Sequence, residues 1–597
     1  MLHKKEMLVN YGSCSEEVFI SKRILGFSFL FSFCSMLAFL LTTRLVGEWA
    51  GDLSLWSAIC SGIYLCALGL GIFWAERKSK TNELSRIGVL EVLLASLSPV
   101  LVFALYLWHM YYRISFYDSG VLVANGDAPL TWIFACAAQG VLVILGFLGG
   151  LELGLINRWA EPLGLRYVQR IIAIYHLGGL GASIILLSYL SHTFEWIEIA
   201  LGIGGVHLLV ATAWIVLLPK SDRRPFARTL LMAAVSLGCL TYTVREGDLV
   251  QTHLKNFYYN HFSWQIDGEG KFSFQNPKGL WAFWKASPDL PRIERHRGPY
   301  QTIDFVPDLP KPDTNKPKDL QAPGQKPYLS SKVQPSDWTM FMDGHFQVNS
   351  RVEAAYHRSL AHVPNLLRGK SGGSILILGG GDGLLAREIL KGTQAQAGED
   401  LSIDLIDIDP LILHLACFDP HLLAVNDRAL LDPRVTLISG DAFQTLRHNH
   451  KTYDAIYMDV LFPFQMEHSR LYSYEFFALI QASLRSDGVF ALLSPVDFDT
   501  RDEPEQTRNL GILSASLGKA GFPQLVLFGE ANHSFLFARR EKHKVPDAEG
   551  LRTLALTHHI NPEGISERIV ELPSPQSFEL ANSLIKPRFF GLKDPFF

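Results

Sequence analysis

Long apolar stretches separated by short polar loops fill the first part of the chain, from Ile24 to Val244. A helix needs about 20 apolar residues to cross a bilayer. Stretches of this kind run over residues 24–46, 55–75, 88–112, 130–156, 167–190 and 198–218, and a shorter, weaker one follows over residues 228–244. The pattern predicts a polytopic helical membrane domain over residues 24–244, with six or seven spans. A cleaved signal peptide does not explain the first stretch, because so many others follow it.

Lysine and arginine are concentrated in alternate loops of this domain, and such a bias sets the orientation of membrane proteins. The cations precede the first stretch and lie between the second and third, the fourth and fifth, and the sixth and seventh. Residues 1–23 are therefore predicted to be cytoplasmic. Six spans would keep the remaining chain inside, whereas seven would place it outside. We interpret residues 228–244 as interfacial or re-entrant, which predicts a multi-pass cell-membrane protein whose partner is the lipid bilayer and whose soluble part is cytoplasmic.

Two acids, Glu91 and Glu152, fall inside apolar stretches. Ionisable groups at such positions are costly and often functional. Because the sequence shows no partner for either acid, we interpret both as structural hydrogen-bonding groups between neighbouring helices.

The chain after residue 245 has the composition of a soluble protein. Residues 245–370 are predicted to hold a linker, a small β-domain and a Pro-rich insertion. From residue 371 to residue 540, apolar runs alternate with helical patterns, which is typical of a doubly wound α/β sheet. Strands are predicted over residues 374–378, 402–408, 435–438, 453–458 and 489–493, with a closing hairpin over 525–528 and 534–538. Residues 541–597 form a predicted C-terminal extension.

Polar residues follow the predicted strands, where ligands of doubly wound sheets bind. The first strand ends in a glycine loop that contains Asp382, and later strands end near Asp407, Asp441 and Asp459. An acid closing the second strand can bind both hydroxyls of a ribose. A phosphate would be repelled by Asp382, so the pattern favours a cationic nucleoside, such as a sulfonium compound with an ammonium tail.

Charge and cysteine content exclude several other classes. The formal net charge is −4, and no basic stripe with interleaved aromatic residues indicates a nucleic-acid partner. The seven cysteines form no CxxC pair and no His/Cys cluster, so neither a disulfide framework nor a zinc site is predicted.

The glycine loop in "ILILGGGDGLLAREIL" resembles that of the spermidine synthases, the polyamine aminopropyltransferases. The resemblance continues through "YQTIDF", "MDGHFQVNSRVEAAYHRSLAHVP", "LIDIDP", "SGDAF", "YDAIYMDVLFP" and "LYSYEFFALIQASLRSDGVF", and so covers about residues 300–539. The segments "CALGLGIFWAERK" and "GFLGGLELGLINR" are similar to the membrane-fused branch of that family.

The resemblance implies a Rossmann-like catalytic domain of the class I S-adenosylmethionine methyltransferase type over residues 371–540. It implies transfer of an aminopropyl group from decarboxylated S-adenosylmethionine to a diamine such as putrescine, with release of methylthioadenosine. The donor is a co-substrate, no cofactor is tightly bound and no metal is needed. A homo-oligomer, either a dimer or a tetramer, is also implied.

The resemblance also implies roles for individual residues. Asp459 would be the catalytic base, and His357 and Asp382 would line the amine channel. The remaining positions would bind the donor nucleoside, with Asp407 on the ribose and Asp441 on the adenine amino group: Gln301, Gly379, Gly381, Asp407, Asp441 and Ala442. Any one of these acids alone could instead cap a helix or close a turn.

The sequence departs from the family pattern at Val352 and Phe462, where acids are common, and at Ala442, where glycine is common. The first two changes remove negative charge from the amine channel. Two alternatives therefore stay open: a methyltransferase that uses ordinary S-adenosylmethionine, and a polyamine-binding membrane transporter or sensor.

Overall fold

The chain divides into two compact units, one of residues Met1–Leu290 with Pro312–Pro327 and one of Pro291–Lys311 with Tyr328–Phe597. The computed structural model describes residues 14–50, 53–77, 83–117, 128–218, 220–246, 253–260, 290–308, 337–370, 372–394, 400–460, 466–496, 498–530, 533–542, 545, 547–558, 560, 567–575 and 577–588.

The first unit is helical where it is described. Its helices are α1 (Cys14–Ala50), α2 (Leu53–Glu76), α3 (Glu83–Tyr117), α4 (Ala128–Ala160), α5 (Leu165–Ile185), α6 (Trp196–Trp214), α7 (Lys220–Glu246) and α8 (Lys255–Asn260). The segments Leu186–Leu190 and Ser191–Thr193 extend α5 by a π-helical and an α-helical turn. The first seven of these helices, α1 to α7, are long and apolar enough to cross a membrane.

Glycines let the helices of this unit approach one another closely. A Cβ atom on Gly150 of α4 would lie 2.1 Å from the carbonyl oxygen of Leu68 in α2, and one on Gly71 would lie 2.2 Å from that of Phe147. Small residues commonly allow such contact between membrane helices. The two glycine-rich segments that resemble the membrane-fused branch are therefore the two sides of one helix interface.

The helix that contains residues 228–244 is longer than predicted and is a seventh candidate span, so the shortness that suggested an interfacial segment is not observed, and the interfacial placement itself stays a prediction. The helix α7 extends to Lys220, and its candidate span of 24 residues is longer than those in α2 and α6, although its mean hydropathy of 1.4 is lower. Near the start of α7, Asp222 accepts a hydrogen bond from Ser85 at the beginning of α3. Hydropathy alone placed the start of the predicted segment too late in the chain, because the first turns of α7 are charged but still helical.

The other end of α7 reaches the opposite face of the unit. Lys255, just beyond α7, forms a 2.8 Å ion pair with Glu195 at the start of α6. The end of α6 lies at the start of α3, since Trp214 donates a hydrogen bond to the carbonyl oxygen of Leu84. The helix α7 therefore spans the unit antiparallel to α6.

The second unit begins with a four-stranded antiparallel sheet. Its strands, in the order β1-β2-β3-β4, are β1 (Glu294–Arg297), β2 (Thr302–Pro307), β3 (Trp338–Met342) and β4 (His345–Asn349). The rings of Phe305 and Trp338 pack edge to face inside it, with their centroids 5.2 Å apart.

The main sheet has eight strands in the order β12-β10-β11-β9-β8-β5-β6-β7. The strands are β5 (Gly373–Gly379), β6 (Leu401–Asp407), β7 (Val435–Ser439), β8 (Tyr453–Asp459), β9 (Leu484–Leu493), β10 (Gln524–Glu530), β11 (His533–Arg539) and β12 (Ile569–Leu572). The helices that accompany them are α9 (Glu353–Arg368), α10 (Leu384–Gln394), α11 (Pro410–Phe418), α12 (Pro420–Asn426), α13 (Ala442–Arg447), α14 (Met466–Ser469), α15 (Tyr474–Ser483), α16 (Pro504–Lys519) and α17 (Ala548–His558).

Five neighbouring strands of this sheet, β7, β6, β5, β8 and β9, are parallel to one another. The three strands at the other edge, β11, β10 and β12, pair in antiparallel fashion. The sheet is thus mixed, as the predicted closing hairpin requires, and has the methyltransferase-like fold. Two differences from prediction stand out. The strand β9 begins at Leu484 rather than residue 489, because Leu484 already pairs with Tyr453 across a register shift. The strand β12 lies within the predicted C-terminal extension and pairs with β10.

Alternate residues of the central strand point into two separate cores. Ile375 and Ile377 of β5 pack in one core, with side chains of α9, α10 and α11. Leu376 and Leu378 pack in the other core, with side chains of α15 and α16. A sheet covered on both faces leaves the carboxyl ends of its parallel strands as the open edge for a ligand.

Candidate active site

The glycine loop after β5 forms one wall of the candidate site. Gly379, Gly380 and Gly383 have φ angles of 80°, 64° and 81°, a region that favours glycine. Gly381 has a different reason for lacking a side chain, since a Cβ atom there would lie 2.6 Å from Oδ2 of Asp407. The loop is thus held against the end of β6 by its own backbone.

Asp407, the last residue of β6, joins the loop to the next strand. Its Oδ2 accepts a hydrogen bond of 3.0 Å from the N–H of Gly381, and its Oδ1 accepts one of 2.9 Å from the N–H of Asp409. Burial raises the pKa of Asp407 to about 6, although these two N–H groups favour the charged form. The side chain of Gln301, from the small sheet, lies beside Asp409. Asp407 and Gln301, both predicted to bind the nucleoside, therefore lie on the same side of the candidate site.

Asp441 follows β7 and carries structural contacts. It caps α13 by accepting a hydrogen bond of 3.1 Å from the N–H of Gln444, and it pairs with Arg470 at 2.5 Å. Burial alone would raise the pKa of Asp441, but these two bonds leave it below the usual value. The next residue, Ala442, is the first of α13. The cap and ion pair must leave room for adenine if Asp441 is to contact the base.

Asp459 ends β8, directly opposite Gly379 in the register of β5. Its Oδ1 accepts a hydrogen bond of 2.9 Å from the hydroxyl of Tyr356. Its Oδ2 lies on the side of Gly380, where an added Cβ atom would be 3.1 Å away. The order of the sheet reverses between β5 and β8, and such a reversal is where doubly wound folds bind their ligands.

A group of buried charged side chains on α9 and α10 lies next to these residues. Nδ1 of His357 lies 2.8 Å from Oε2 of Glu353, which also pairs with Arg387 at 3.0 Å. Burial lowers the pKa of His357, but the bond to Glu353 and the fields of Asp459 and Asp382 outweigh it and leave the pKa raised. The imidazole is thus held in place by a buried acid on the same helix.

Asp382 sits half-buried in the glycine loop and caps α10 through a hydrogen bond of 3.0 Å from the N–H of Leu384. Burial raises the pKa of Asp382 to about 6, His357 opposes this, and Asp459 adds to it. Three of the predicted residues, His357, Asp382 and Asp459, are therefore close enough to influence one another electrically. Two acids and one imidazole around one pocket can hold an ammonium group.

Sequence reasoning assigned no role to Tyr356, which contacts Asp459, and considered Glu353, which contacts His357, only as an acid that could take over amine binding. Burial and the field of Asp459 raise the pKa of Tyr356 well above its usual value, so the phenol remains a hydrogen-bond donor. The one available signal was their position on the same helical turn as His357. Val352, which replaces a common acid, is 67% exposed, and Phe462 lies outside the described residues.

One group of possible metal ligands occurs among the described residues, away from the predicted site residues in sequence. It consists of Glu294, Asp419 and His421. Asp419 caps α12 by accepting a hydrogen bond from the N–H of His421, whose ring stacks on Phe305 at 5.0 Å. These contacts give the group a structural explanation, and the sequence prediction that the reaction needs no metal stays a prediction.

Part of the second unit matches a known protein family. Residues 353–502 match the model of the spermine/spermidine synthase domain. The chain is 26% identical to a polyamine aminopropyltransferase of Oceanobacillus iheyensis over 463 residues, which are 76% of this chain and 77% of the relative. It is 36% identical to polyamine aminopropyltransferase 2 of Streptomyces coelicolor over 186 residues, 31% of each chain. The crystal structure of spermidine synthase from Thermotoga maritima aligns with a TM-score of 0.35 and 22% identity, over 47% of this chain and 85% of that one.

The resemblance noted in the sequence is confirmed by the family match and by the long alignment to the Oceanobacillus relative. These matches indicate a transferase. More narrowly, the chain carries a spermine/spermidine synthase domain preceded by a helical unit with seven candidate membrane spans.

Proposed function

We propose that the protein is a membrane-anchored polyamine aminopropyltransferase. It would transfer the aminopropyl group of decarboxylated S-adenosylmethionine to a diamine such as putrescine and release methylthioadenosine. The observation that carries this proposal is the glycine loop itself, because it places Asp382 near His357 and Asp459 where dinucleotide-binding folds receive a phosphate. An acid at this position suits a donor and an acceptor that both carry ammonium groups.

The proposed reaction needs one proton transfer and one displacement. An alkylammonium has a pKa of about 10, so the acceptor arrives protonated and cannot attack until it loses a proton. The carboxylate of Asp459 takes that proton, with Oδ1 oriented by Tyr356. The amine lone pair then forms a C–N bond to the aminopropyl carbon, the C–S bond breaks, and its electron pair neutralises the sulfonium. Alignment of nitrogen, carbon and sulfur supplies most of the catalysis.

Donor binding falls to the other strand ends. Asp407, backed by Gly381 and flanked by the side chain of Gln301 beside Asp409, is placed to accept hydrogen bonds from ribose hydroxyls. Asp441 and the N–H groups at the start of α13 would meet the adenine. No tightly held cofactor is needed, since the donor is consumed in each turnover.

The experiment that tests the function is incubation of the purified full-length protein with putrescine and each of two donors, decarboxylated and ordinary S-adenosylmethionine. Spermidine and methylthioadenosine from the decarboxylated donor are expected. S-adenosylhomocysteine from the ordinary donor would instead identify a methyltransferase. Amine binding without either product would identify a binding protein, and both of these outcomes contradict the proposal.

We also propose that the second unit lies in the cytoplasm, where the donor is made. Because α7 runs across the first unit like the other six long helices, this placement requires the N-terminus to lie outside. The cation-rich loops favour the reverse orientation. Reporter fusions at Met1 and after Phe597 decide the matter. Opposite sides are expected for the two ends, and alkaline phosphatase activity at the C-terminal fusion would refute the cytoplasmic placement.

We expect the protein to act as a homo-oligomer, as the family resemblance implies. Light scattering of the detergent-solubilised full-length protein should give a dimer or tetramer mass after subtraction of the detergent. A monomer that retains full transferase activity would contradict this expectation.

A further inference from the structure

Two short segments of the second unit, far apart in the sequence, bring two carboxyl groups and two imidazoles together. Glu294 and His296 are two residues apart in β1, so their side chains lie on the same side of the strand. Asp419 caps α12, and His421 lies in the first turn of that helix. We call these four residues the β1–α12 cluster. The cap of α12 and the stacking of His421 fix two of its members but do not involve Glu294 or His296.

The four side chains form a closed ring of contacts in which acids and imidazoles alternate. Nε2 of His296 lies 3.2 Å from Oε1 of Glu294 and 3.9 Å from Oδ2 of Asp419. Nδ1 of His421 lies 3.2 Å from Oδ1 of Asp419 and 3.8 Å from Oε2 of Glu294. Each of the two nitrogen atoms therefore lies between oxygens of two different acids.

Hydrogen bonds account for only one of these four contacts. An imidazole nitrogen carries at most one hydrogen, so the two nitrogens could donate at most two bonds. The contact of His421 with Oδ1 of Asp419 has hydrogen-bond geometry. Nε2 of His296, by contrast, is buried and has no hydrogen-bond partner among the residues that the structure describes. Buried polar atoms are normally paired, so this nitrogen indicates a ligand that the protein does not itself supply.

Asp419 also presents an oxygen to the cluster without a bond. Its side chain is only 4% exposed. Its Oδ1 accepts a hydrogen bond of 2.8 Å from the N–H of His421, whereas its Oδ2 accepts none from the described residues. In the part of the chain that the structure describes, neither Asp419 nor Glu294 forms an ion pair with a lysine or an arginine. Protonated imidazoles would balance the two acids but would not give the remaining contacts hydrogen-bond geometry.

The donor atoms and their spacing fit a zinc ion. Zinc in proteins is bound by histidine nitrogens and carboxylate oxygens at about 2.0–2.2 Å, usually by four ligands in a tetrahedron. Ligand atoms at that distance from a tetrahedral ion are about 3.3 Å from one another, and the four contacts of the cluster measure 3.2–3.9 Å. With neutral imidazoles, the two carboxylates balance the charge of Zn²⁺. A hard ion such as Mg²⁺ would instead take oxygen ligands and water.

Aromatic packing orients both imidazoles before an ion arrives. The ring of His421 stacks on Phe305 with the centroids 5.0 Å apart, and the ring of His296 meets Phe305 edge to face at 5.8 Å. Phe305 itself is buried in the second unit. The side chain of Glu294 is 50% exposed, so its carboxyl group can adjust and an ion can enter from solvent.

We propose that Glu294, His296, Asp419 and His421 bind one Zn²⁺ ion, which fastens β1 to the start of α12. The site rests on the geometry of these four side chains. The ion takes no part in the proposed reaction, because its ligands include none of the residues predicted to bind the donor or the amine. Its role is to hold the small sheet against the main sheet of the second unit.

This role has one consequence that rests on the proposed function. The strand β1 leads into a turn in which the N–H of Gly298 donates a hydrogen bond of 2.9 Å to the carbonyl oxygen of Gln301. Gln301 is predicted to bind the donor nucleoside. An ion that fixes β1 would therefore help to position Gln301.

The test uses the full-length protein, purified in detergent without a histidine tag and dialysed against EDTA. Titration with Zn²⁺ in competition with a chromophoric chelator is expected to show one tight site per chain. Glu294→Gln and His296→Gln should each weaken this site about a hundredfold or more, since even the loss of a residue that only supports a ligand costs about 10–100-fold. His414→Gln, which changes an exposed histidine of α11, is the matched control and should keep the affinity.

Thermal unfolding shows whether the variants fold. In EDTA, the wild type and the three variants should melt at similar temperatures. Excess Zn²⁺ should raise the melting temperature of the wild type and of His414→Gln by a few degrees, because a ligand of the folded state alone stabilises it. Glu294→Gln should show no such increase.

Three outcomes would overturn the proposal. Equal zinc affinity in the wild type, Glu294→Gln and His296→Gln would remove the site. An equal loss of affinity in His414→Gln would show that surface histidines in general bind the ion. Saturation by Mg²⁺ but not by Zn²⁺ would overturn the choice of zinc.

Steady-state kinetics separate the ion from the reaction. Removal of zinc should raise the donor KM several-fold and leave kcat unchanged, and added Zn²⁺ should restore the KM in the wild type but not in Glu294→Gln. The zinc titration itself needs no substrate. Failure of the transferase with an intact zinc site would refute only the proposed function. Normal turnover without a zinc site would refute only the proposal made here.

Discussion

Both units of the protein bury carboxyl groups, but the two units surround them differently. In the catalytic unit, Asp407 accepts hydrogen bonds from two backbone N–H groups, and Asp459 accepts one from Tyr356. In the helical unit, Glu152 is fully buried, and its hydrogen-bonding partner is a second buried carboxyl group, that of Glu91. A carboxylate held by the protein's own donors is oriented before the substrate arrives. Two carboxyl groups that are hydrogen-bonded to each other must share a proton, because a carboxylate has none to donate.

This difference teaches where substitutions should act. Residues of the catalytic unit orient one another, so changes there should affect turnover and donor binding. The paired acids Glu91 and Glu152 belong to the helical unit, so changes there should affect the stability of that unit rather than turnover.

Asp459→Asn should cause the largest loss. Turnover is expected to fall by about 10²-fold or more, on the order of a general base's contribution, while donor binding is retained. The measurement is kcat with saturating donor and amine, with donor affinity determined by calorimetry. Asp432→Asn, which removes an acid paired with Arg434 outside the candidate site, should leave both quantities unchanged. Turnover near the wild-type rate in Asp459→Asn would remove Asp459 from the mechanism.

The double variant Val352→Asp, Phe462→Asp restores acids where related enzymes often have them. Each regained charge-assisted hydrogen bond is worth about 1.5–3 kcal/mol, or roughly one to two decades in affinity. The wild type is therefore expected to bind putrescine weakly, and the double variant, with two such bonds regained, about a hundredfold better or more. Val352 is exposed and can accept a charged side chain without repacking.

A panel of diamines and triamines measures this change. The wild type is expected to favour longer or more apolar amines than the double variant does. If the wild type already binds putrescine with micromolar affinity and the double variant gains nothing, these two positions do not set specificity.

The sequence could predict the site residues at strand ends because each is readable from its own strand. The glycine loop, Asp407 and Asp459 come directly after apolar runs, and parallel strands bring such ends together. The bond between Tyr356 and Asp459 joins residues 103 positions apart, and no local pattern encodes it. The ion pairs of Glu353 with Arg387 are hidden for the same reason.

The helical unit shows the same limit more strongly. Apolar length predicted the candidate spans in α1 to α6, because such a span depends only on its own residues. It could not identify His207 as the partner of Glu91, which lies 116 positions away on another helix. It also began the seventh segment at Arg228 instead of near Lys220, because the charged residues at the start of α7 lower the hydropathy without breaking the helix.

Gly381→Ala tests whether the glycine loop is held directly against Asp407. A Cβ atom would lie 2.6 Å from Oδ2 of Asp407, so the loop or the carboxylate must move. Overpacking of this kind costs about 1–3 kcal/mol, which is roughly tenfold in the KM of the donor. Gly511→Ala is the matched control, since its Cβ atom would meet only Leu580 at an ordinary 3.7 Å. An unchanged donor KM in Gly381→Ala would show that the loop adapts without affecting the ribose site.

Asp382→Asn should have the smallest effect on stability and a clear dependence on pH. Burial raises the pKa of Asp382 from 3.8 to about 6, so the charged form is disfavoured in the folded protein. A raised carboxyl pKa means that folding stability is lost as the pH rises through 6 and is fully present below about 4. Asparagine keeps the cap on Leu384 and removes the charge. The variant is therefore expected to melt a few degrees higher than the wild type at pH 8 and at the same temperature near pH 4.

The protonation of Asp382 should also determine how the KM for the amine depends on pH in the wild type. Below about pH 6 the carboxyl group of Asp382 becomes protonated and no longer attracts an ammonium group, so the KM for the amine should rise as the pH falls. In Asp382→Asn the amine KM should be high already at pH 8 and should not rise further between pH 7 and pH 5.5. Asp432→Asn should change stability at pH 8 in the opposite direction. The hydrogen bond from Arg434 lowers the pKa of Asp432 and stabilises its charged form, so the variant should be less stable than the wild type. A loss of stability at pH 8 in Asp382→Asn equal to that in Asp432→Asn would show that Asp382 is held by a partner, as the other acids of the catalytic unit are.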